Sequence, residues 1–367
     1  MYNKIRQHIF ITLCCILTIY ATDTEAQPQK MGTPKNIIFI VGDGMGIAQV
    51  SASIIAEGKD NSAFIRFPYS GFSRTNSKNK YTTDSGAGGS ALMTGHKVNN
   101  YAISQSPEGI AHLSFLTQAK SLDKKCGVVV TSSILDATPA STYAHVSYRK
   151  EFDSISMQLA RSEFDFIAGG GYKYFLPENR KDSMSPIDTL QRKGYSVVYT
   201  LDEMQECTDS KICALLTKGD PPKASQRNEM LCRSVTKALS TLSSNNKEGF
   251  VLMIEGSQID WACHNNNASY LLEELSDFEK MLHIVLDFAE KDGETLVVVT
   301  ADHESGGLTL PDGDIDNNIN SCKFSSLNHT GTMVPVFSFG PGSHLFCGIQ
   351  QNTDIATKIR LLMGLSQ

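Results

Sequence analysis

Short runs of consecutive apolar residues recur along the chain. Between them lie longer stretches in which apolar positions return every three or four residues. The runs Asn36–Val41, Cys126–Val130, Phe164–Ala168, Ser196–Tyr199, Gly249–Ile254, Thr295–Val299 and Val334–Phe339 are rich in β-branched residues. Continuous apolar character of this kind marks strands buried on both faces. The stretches Gly46–Glu57, Leu113–Lys120, Glu151–Arg161, Lys223–Leu242, Ala268–Lys291 and Thr353–Met363 are the predicted helices. Strand–helix alternation predicts an α/β fold, a doubly wound and mostly parallel central sheet with helices on both faces. Residues 173–225, with Pro221 and Pro222, alternate less clearly and are expected to form a small excursion over the sheet edge.

The first 26 residues follow a different pattern. Lys4, Arg6 and His8 precede an apolar stretch from Ile9 to Tyr20, and Thr24-Glu25-Ala26 forms a small-residue cleavage site before Gln27. That is the layout of an export signal, too short to anchor the chain across a bilayer. Lipoprotein processing at Cys14 or Cys15 fits less well, because the apolar run continues past both. The expected organisation is a signal peptide at 1–26 and one catalytic domain at 27–367, with no membrane span in the mature chain. Export to a periplasm is expected, with secretion as the alternative. Seven of the nine cysteines then remain, and Cys207 with Cys213 is a candidate local disulfide.

Composition narrows the function classes. The 367 residues carry 33 basic and 39 acidic side chains, a formal net charge of −6, which excludes a broad basic nucleic-acid face. In open α/β sheets ligands bind beyond the carboxyl ends of the strands. Asp43, Thr138, Glu255, Asp260, His264, Asp302 and His303 all follow predicted strands closely, so acids and histidines collect at one rim.

Each motif has a bland and a chemical reading. IIFIVGDGMG (37–46) is no dinucleotide turn, since Ile47 stands where a glycine is needed, and Asp43 would repel phosphate without a cation. Asp43 as a helix cap is the bland reading. TTDSGAGGSALMTG (82–95) places Ser85 where a helix can open, although on this motif alone Asp84 or Ser85 as a plain cap is the stronger reading. Ser85 has no neighbouring histidine in sequence, so its activation is assigned to a metal. LDATPASTYAHVSYRK (135–150) offers Asp136, Thr138 and Arg149, an arginine able to fork two phosphate oxygens; His145 reads as structural. MIEGSQIDWACH (253–264) sets Asp260 and His264 four apart on one helical face, and TADHESGG (300–307) sets Asp302 beside His303. NHTG (328–331) adds His329. Together these acids and histidines suit two transition-metal ions and a harder third one.

With those six motifs in that order, from about residue 34 to 340, the chain resembles the alkaline phosphatase family. The resemblance implies that Ser85 is the nucleophile of a phosphate monoester hydrolase working through a phosphoserine. It implies two zinc ions, one on Asp260, His264 and His329, the other on Asp43, Asp302, His303 and Ser85. Asp43, Thr138 and Glu255 would hold one magnesium ion, supported by Asp136, and Arg149 would grip the phosphoryl group. A homodimer is also expected. Trp261 departs from the lysine or histidine of some members, which implies weaker phosphate retention. Glu255 and Arg149 favour monoesters over the diesters of related enzymes, and no C-x-P-x-R segment for a sulfatase exists. A phosphoglycerate mutase is disfavoured by the signal segment and the match to TDS. A phosphate- or zinc-binding protein with a degenerate site would need neither Ser85 nor Arg149.

Overall fold

A computed structural model describes residues 32–58, 60–314 and 318–365. The export signal expected at 1–26 lies outside them. Among the described residues fourteen strands follow in chain order: β1 Asn36–Gly42, β2 Tyr69–Arg74, β3 Lys125–Ser133, β4 Phe166–Gly170, β5 Ser196–Val198, β6 Ile212–Leu215, β7 Phe250–Gly256, β8 Thr295–Thr300, β9 Glu304–Ser305, β10 Leu308–Asp314, β11 Asn318–Phe324, β12 His329–Thr330, β13 Val334–Phe339 and β14 Gly348–Gln351. Ten of them form one sheet in the order β14-β2-β13-β8-β1-β7-β3-β4-β6-β5. Only β13 runs against its neighbours in that sheet. The doubly wound prediction therefore holds.

Residues of β1 show why both faces must be covered. Ile37, Phe39 and Val41 join one core with Phe115, Leu159 and Ile359; Ile38 and Ile40 join another with Val50, Leu239 and Leu282. Alternate side chains point to opposite faces, so an all-apolar strand has to be buried twice. Helices over Phe115–Ala119, Phe152–Arg161 and Asn352–Leu362 cover the first face; those over Ile47–Glu57, Met230–Ser243 and Ala268–Asp292 cover the second.

Register then builds the rim. Val41 pairs with Glu255 and with Thr300, and Glu255 pairs with Val130. Four central strands thus end at one level, and the residues just beyond them face one another.

Three expectations change. Residues 173–225 are no excursion, because β5 and β6 extend the sheet and helices Pro186–Arg192 and Leu201–Glu206 accompany them. The predicted helix over Lys223–Leu242 starts only at Met230, since Asn228 and Glu229 adopt left-handed backbone and the Arg227 guanidinium is drawn into a buried pair with Glu274 and Asp277. Cys207 and Cys213 are both free thiols. Cys213 is buried in β6, where burial pushes its pKa up to about 12. No helix among the described residues is long and apolar enough to cross a membrane.

Candidate active site

The Ser85–Thr94 helix delivers the serine. Its sequence SGAGGSALMT is buried along its whole length, and the small side chains from Ser85 to Ala91 let its first turns pack closely. At Gly88 an added Cβ would lie 2.9 Å from the backbone oxygen of Asp302. Asp84 caps this helix, accepting from the Ala87 and Gly86 amides, so the bland capping reading is true of Asp84. It leaves Ser85 as the first helical residue, at the end where backbone amides and the helix dipole favour an anion. Asp43 is not a cap; Gly46 takes that position in the next helix.

Ser85 Oγ lies 3.2 Å from His303 Nε2. The same nitrogen stands 3.4 Å from Asp43 Oδ1 and 3.1 Å from Asp302 Oδ2. The histidine missing beside Ser85 in sequence is therefore supplied by the fold, but it is shared with two carboxylates. A second cluster adjoins it. His264 Nε2 is 3.4 Å from Asp260 Oδ2, His329 Nε2 is 3.6 Å from Asp260 Oδ1, and the two histidine nitrogens are 3.1 Å apart. Tetrahedral ligands at the roughly 2.0–2.2 Å typical of zinc are about 3.4 Å from one another. Both clusters have that spacing, with His303 lying between them at ligand distance of either group.

The outer partners fix the histidines. His329 Nδ1 donates to Thr83 O at 2.8 Å, and His264 Nδ1 donates to Leu327 O at 2.6 Å. Ser305 Oγ donates to Asp260 Oδ1 and accepts from His303 Nδ1 at 3.2 Å. With a proton held on each Nδ1, all three rings turn Nε2 inward. Metal-ligating histidines have the same arrangement, which sets tautomer and orientation.

The charges are unbalanced without a cation. Asp43 is held well above the usual carboxylate range by burial and then by Asp302, Asp260 and Glu255. Burial also raises Glu255, with Asp136 and Asp302 adding repulsion, and raises Asp302, with Asp260 adding to it. Asp260 goes the other way: burial pushes it up, but the His264 contact, His303 and His329 outweigh that and hold it well below the usual range. His264 rises to about 9 through Asp260. Burial and His329 depress His303. Asp43 Oδ1, Asp302 Oδ2 and Thr138 Oγ1 are buried and make no well-formed hydrogen bond, although Thr138 lies close enough to steady the Glu255 carboxylate. Buried oxygens left idle between mutually repelling acids fit cation ligands and little else.

Arg149 is clamped beside this centre. Its guanidinium donates to Asp84 Oδ2 at 3.0 Å and to Asp136 Oδ1 at 2.9 Å. Burial opposes its charge, and Asp136 with Asp84 more than restores it. Each terminal nitrogen keeps a free N–H for a ligand. Asp136 also caps the short Ala137–Ala140 helix that carries Thr138. Trp261 lies on the Gln258–His264 helix, partly buried, and its indole makes no hydrogen bond with the other predicted residues. Sequence reading overlooked Asp84 as an arginine partner and Ser305 altogether. Asp84 had a signal, as a capping residue two positions from an amide it could bind. Ser305 had a fainter one: two residues past His303 in extended chain, it points to the same side.

The alkaline phosphatase family model matches residues 34–323. "Alkaline phosphatase 4" of Bacillus subtilis is 30% identical, over 91% of this chain and 90% of its own. The solved alkaline phosphatase of the Antarctic bacterium TAB5 is 37% identical, covering 91% of this chain and all of its own, with a TM-score of 0.85. A variant of it with aspartate replacing one histidine, solved with magnesium in its M3 site, has the same TM-score and 37% identity over 92% of this chain and all of its own.

Proposed function

The chain belongs to the alkaline phosphatase family and is a phosphatase; from that premise we propose that it hydrolyses phosphate monoesters through a phosphoserine on Ser85. The observation that carries this reading is the meeting of Ser85 Oγ, His303 Nε2 and the two carboxylates Asp43 and Asp302 at one helix N-terminus.

The donor sets fit metal ions. Asp260, His264 and His329 would hold one zinc ion, and Asp43, Asp302, His303 and Ser85 the other. Asp43, Thr138 and Glu255, an all-oxygen set, would hold magnesium, with Asp136 nearby. The TAB5 variant with aspartate and magnesium supports that use of an acidic residue. When bound, these ions supply Lewis acidity and balance the buried carboxylates.

The protein's own groups do the rest. Ser85 Oγ gives up its proton to solvent and attacks phosphorus in line with the alcohol oxygen. That P–O bond breaks, and the leaving alkoxide takes a proton from water. A second water then attacks the phosphoserine and breaks its Oγ–P bond, releasing phosphate. Arg149 grips two non-bridging oxygens with the N–H groups that Asp84 and Asp136 leave free. The Gly86 and Ala87 amides are taken by Asp84, so the Ser85–Thr94 helix favours the same anion through the positive end of its dipole. Trp261 offers no cation to the phosphoryl group, so phosphate leaves readily.

Residues 27–367 serve as one catalytic domain, exported behind the 1–26 signal to a periplasm and paired as a homodimer. A directly activated serine, with His303 as sole base, is the second reading, since the two atoms are 3.2 Å apart. Asp43 and Asp302 crowding the same nitrogen argue against it. Acid quenching after incubation with labelled phosphate, followed by peptide mass spectrometry, tests the proposal. Label on Ser85 that disappears in Ser85→Ala is expected; label on a histidine or no label contradicts it.

A further inference from the structure

Beside the metal-ligand rim runs a groove of about 610 Å³ whose wall is the segment Arg74–Tyr81 with Gly331 and Met333. Its position follows from topology. β13 is antiparallel to both β8 and β2. β2 therefore runs with β8, and Arg74 leaves it at the rim where Asp302 leaves β8. Two strand spacings separate them, about 10 Å. From Arg74 the chain returns across the rim to Ser85. Along this return Thr83 O holds His329, and the Tyr81 ring lies so close to Gly331 that an added Cβ there would overlap it. The groove and the serine thus share one segment.

The charge of this wall is one-sided. Arg74, Lys78 and Lys80 line it, and no carboxylate does. Among the described residues none of the three has a carboxylate within ion-pair distance. Lys97 stands behind Arg74 and donates to Asn76 O. Burial and the Arg74 charge push its pKa down to about 8, with Asp354 opposing; Glu108 is the carboxylate acting on Lys78 from beyond the wall. Thr75, also in the wall, keeps a buried hydroxyl without a hydrogen-bond partner. On a chain with a net charge of −6, uncompensated cations around one concave space point to an anion.

We propose that this groove is a subsite for a second anionic group, so that preferred substrates are phosphate monoesters whose alcohol carries another phosphate. The inference rests on the phosphomonoesterase reading above. One phosphate meets Ser85 and Arg149 while Arg74, Lys78 and Lys80 hold the other.

The test compares kcat/KM for fructose 1,6-bisphosphate, glucose 6-phosphate and p-nitrophenyl phosphate on the metal-replete full chain. The wild type should favour the bisphosphate over glucose 6-phosphate about tenfold at low salt, through KM, and lose most of that preference near 0.5 M salt. Arg74→Gln/Lys78→Gln/Lys80→Gln should abolish the preference and leave p-nitrophenyl phosphate within about twofold of wild type. Lys78→Gln/Lys80→Gln, on exposed loop positions, should show the same effect in smaller measure and covers a folding failure of the triple variant. No preference in the wild type, or equal losses on all three substrates, overturns the subsite. Failure of the wild type on every substrate overturns the phosphomonoesterase reading and the subsite with it, and is told apart by p-nitrophenyl phosphate.

Discussion

The Ser305 hydroxyl serves both clusters, holding Asp260 on one side and His303 on the other. Ser305→Ala frees both ligands to turn. Loss of such an outer partner typically costs 10–100-fold in metal affinity. Zinc loss to a chelator should therefore be about 10-fold faster or more in Ser305→Ala, with Ser305→Thr restoring retention. Unchanged zinc loss in the alanine variant contradicts the assignment. At Trp261 the expected change is a gain. Trp261→Lys adds a cation beside the phosphoryl site and should tighten inhibition by phosphate about tenfold, the worth of one charge-assisted hydrogen bond. The residues that meet in the two clusters could be picked out in sequence because metal chemistry restricts candidate ligands to Asp, Glu, His and a few hydroxyls. Asp84 and Ser305 were not legible in their roles, because any serine or aspartate can donate or accept, and only the fold shows which partner it meets.

Elements explain why the site is rigid. The small-residue start of the Ser85–Thr94 helix, Ser85 to Ala91, wedges against Asp302, and Gly88 has no room for a methyl group. Gly88→Ala should lower stability by about 1–3 kcal/mol and reduce activity, because its Cβ pushes on the backbone of a ligand residue. Thermal melting with an activity assay checks both. The buried Arg227–Glu274–Asp277 cluster ends the irregular approach to the Met230–Ser243 helix. Arg227→Met leaves two carboxylates unpaired and should cost about 3–5 kcal/mol. Strands buried on both faces were readable because their apolar character is continuous. Tyr69–Arg74 was missed because YSGFSR has only two large apolar residues, three apart, and buries Gly71 and Ser73 instead, and Ile212–Leu215 because four residues carry little pattern. The false start of the helix at Lys223 came from periodicity alone; left-handed backbone at Asn228 and Glu229 leaves no trace in an apolar pattern.

For the molecule as a whole, stability is coupled to metal and to pH. Asp43, Asp302 and Glu255 have folded pKa values above their ordinary ones, with Glu255 near 8. The metal-depleted folded state then binds more protons than the unfolded one between the ordinary carboxylate range and about pH 8. Its stability must fall as pH rises through that window. The depressed Asp260 acts at lower pH, its contribution being lost only as pH falls below the ordinary range. Chelation should therefore lower Tm more at pH 8 than at pH 5. An equal drop at both pH values contradicts the assignment of these carboxylates as cation ligands.

A metal-dependent serine centre that hydrolyses monoesters would account for this site. Hydrolysis of p-nitrophenyl phosphate against bis-p-nitrophenyl phosphate at alkaline pH tests it most directly, with chelation followed by return of zinc and magnesium. The geometry predicts strong monoesterase activity, lost on chelation, regained on return of both metals, and lower by about 10³-fold or more in Ser85→Ala. A preference for the diester, or full activity after chelation, would contradict the roles of Arg149, Glu255 and the two histidine–carboxylate clusters.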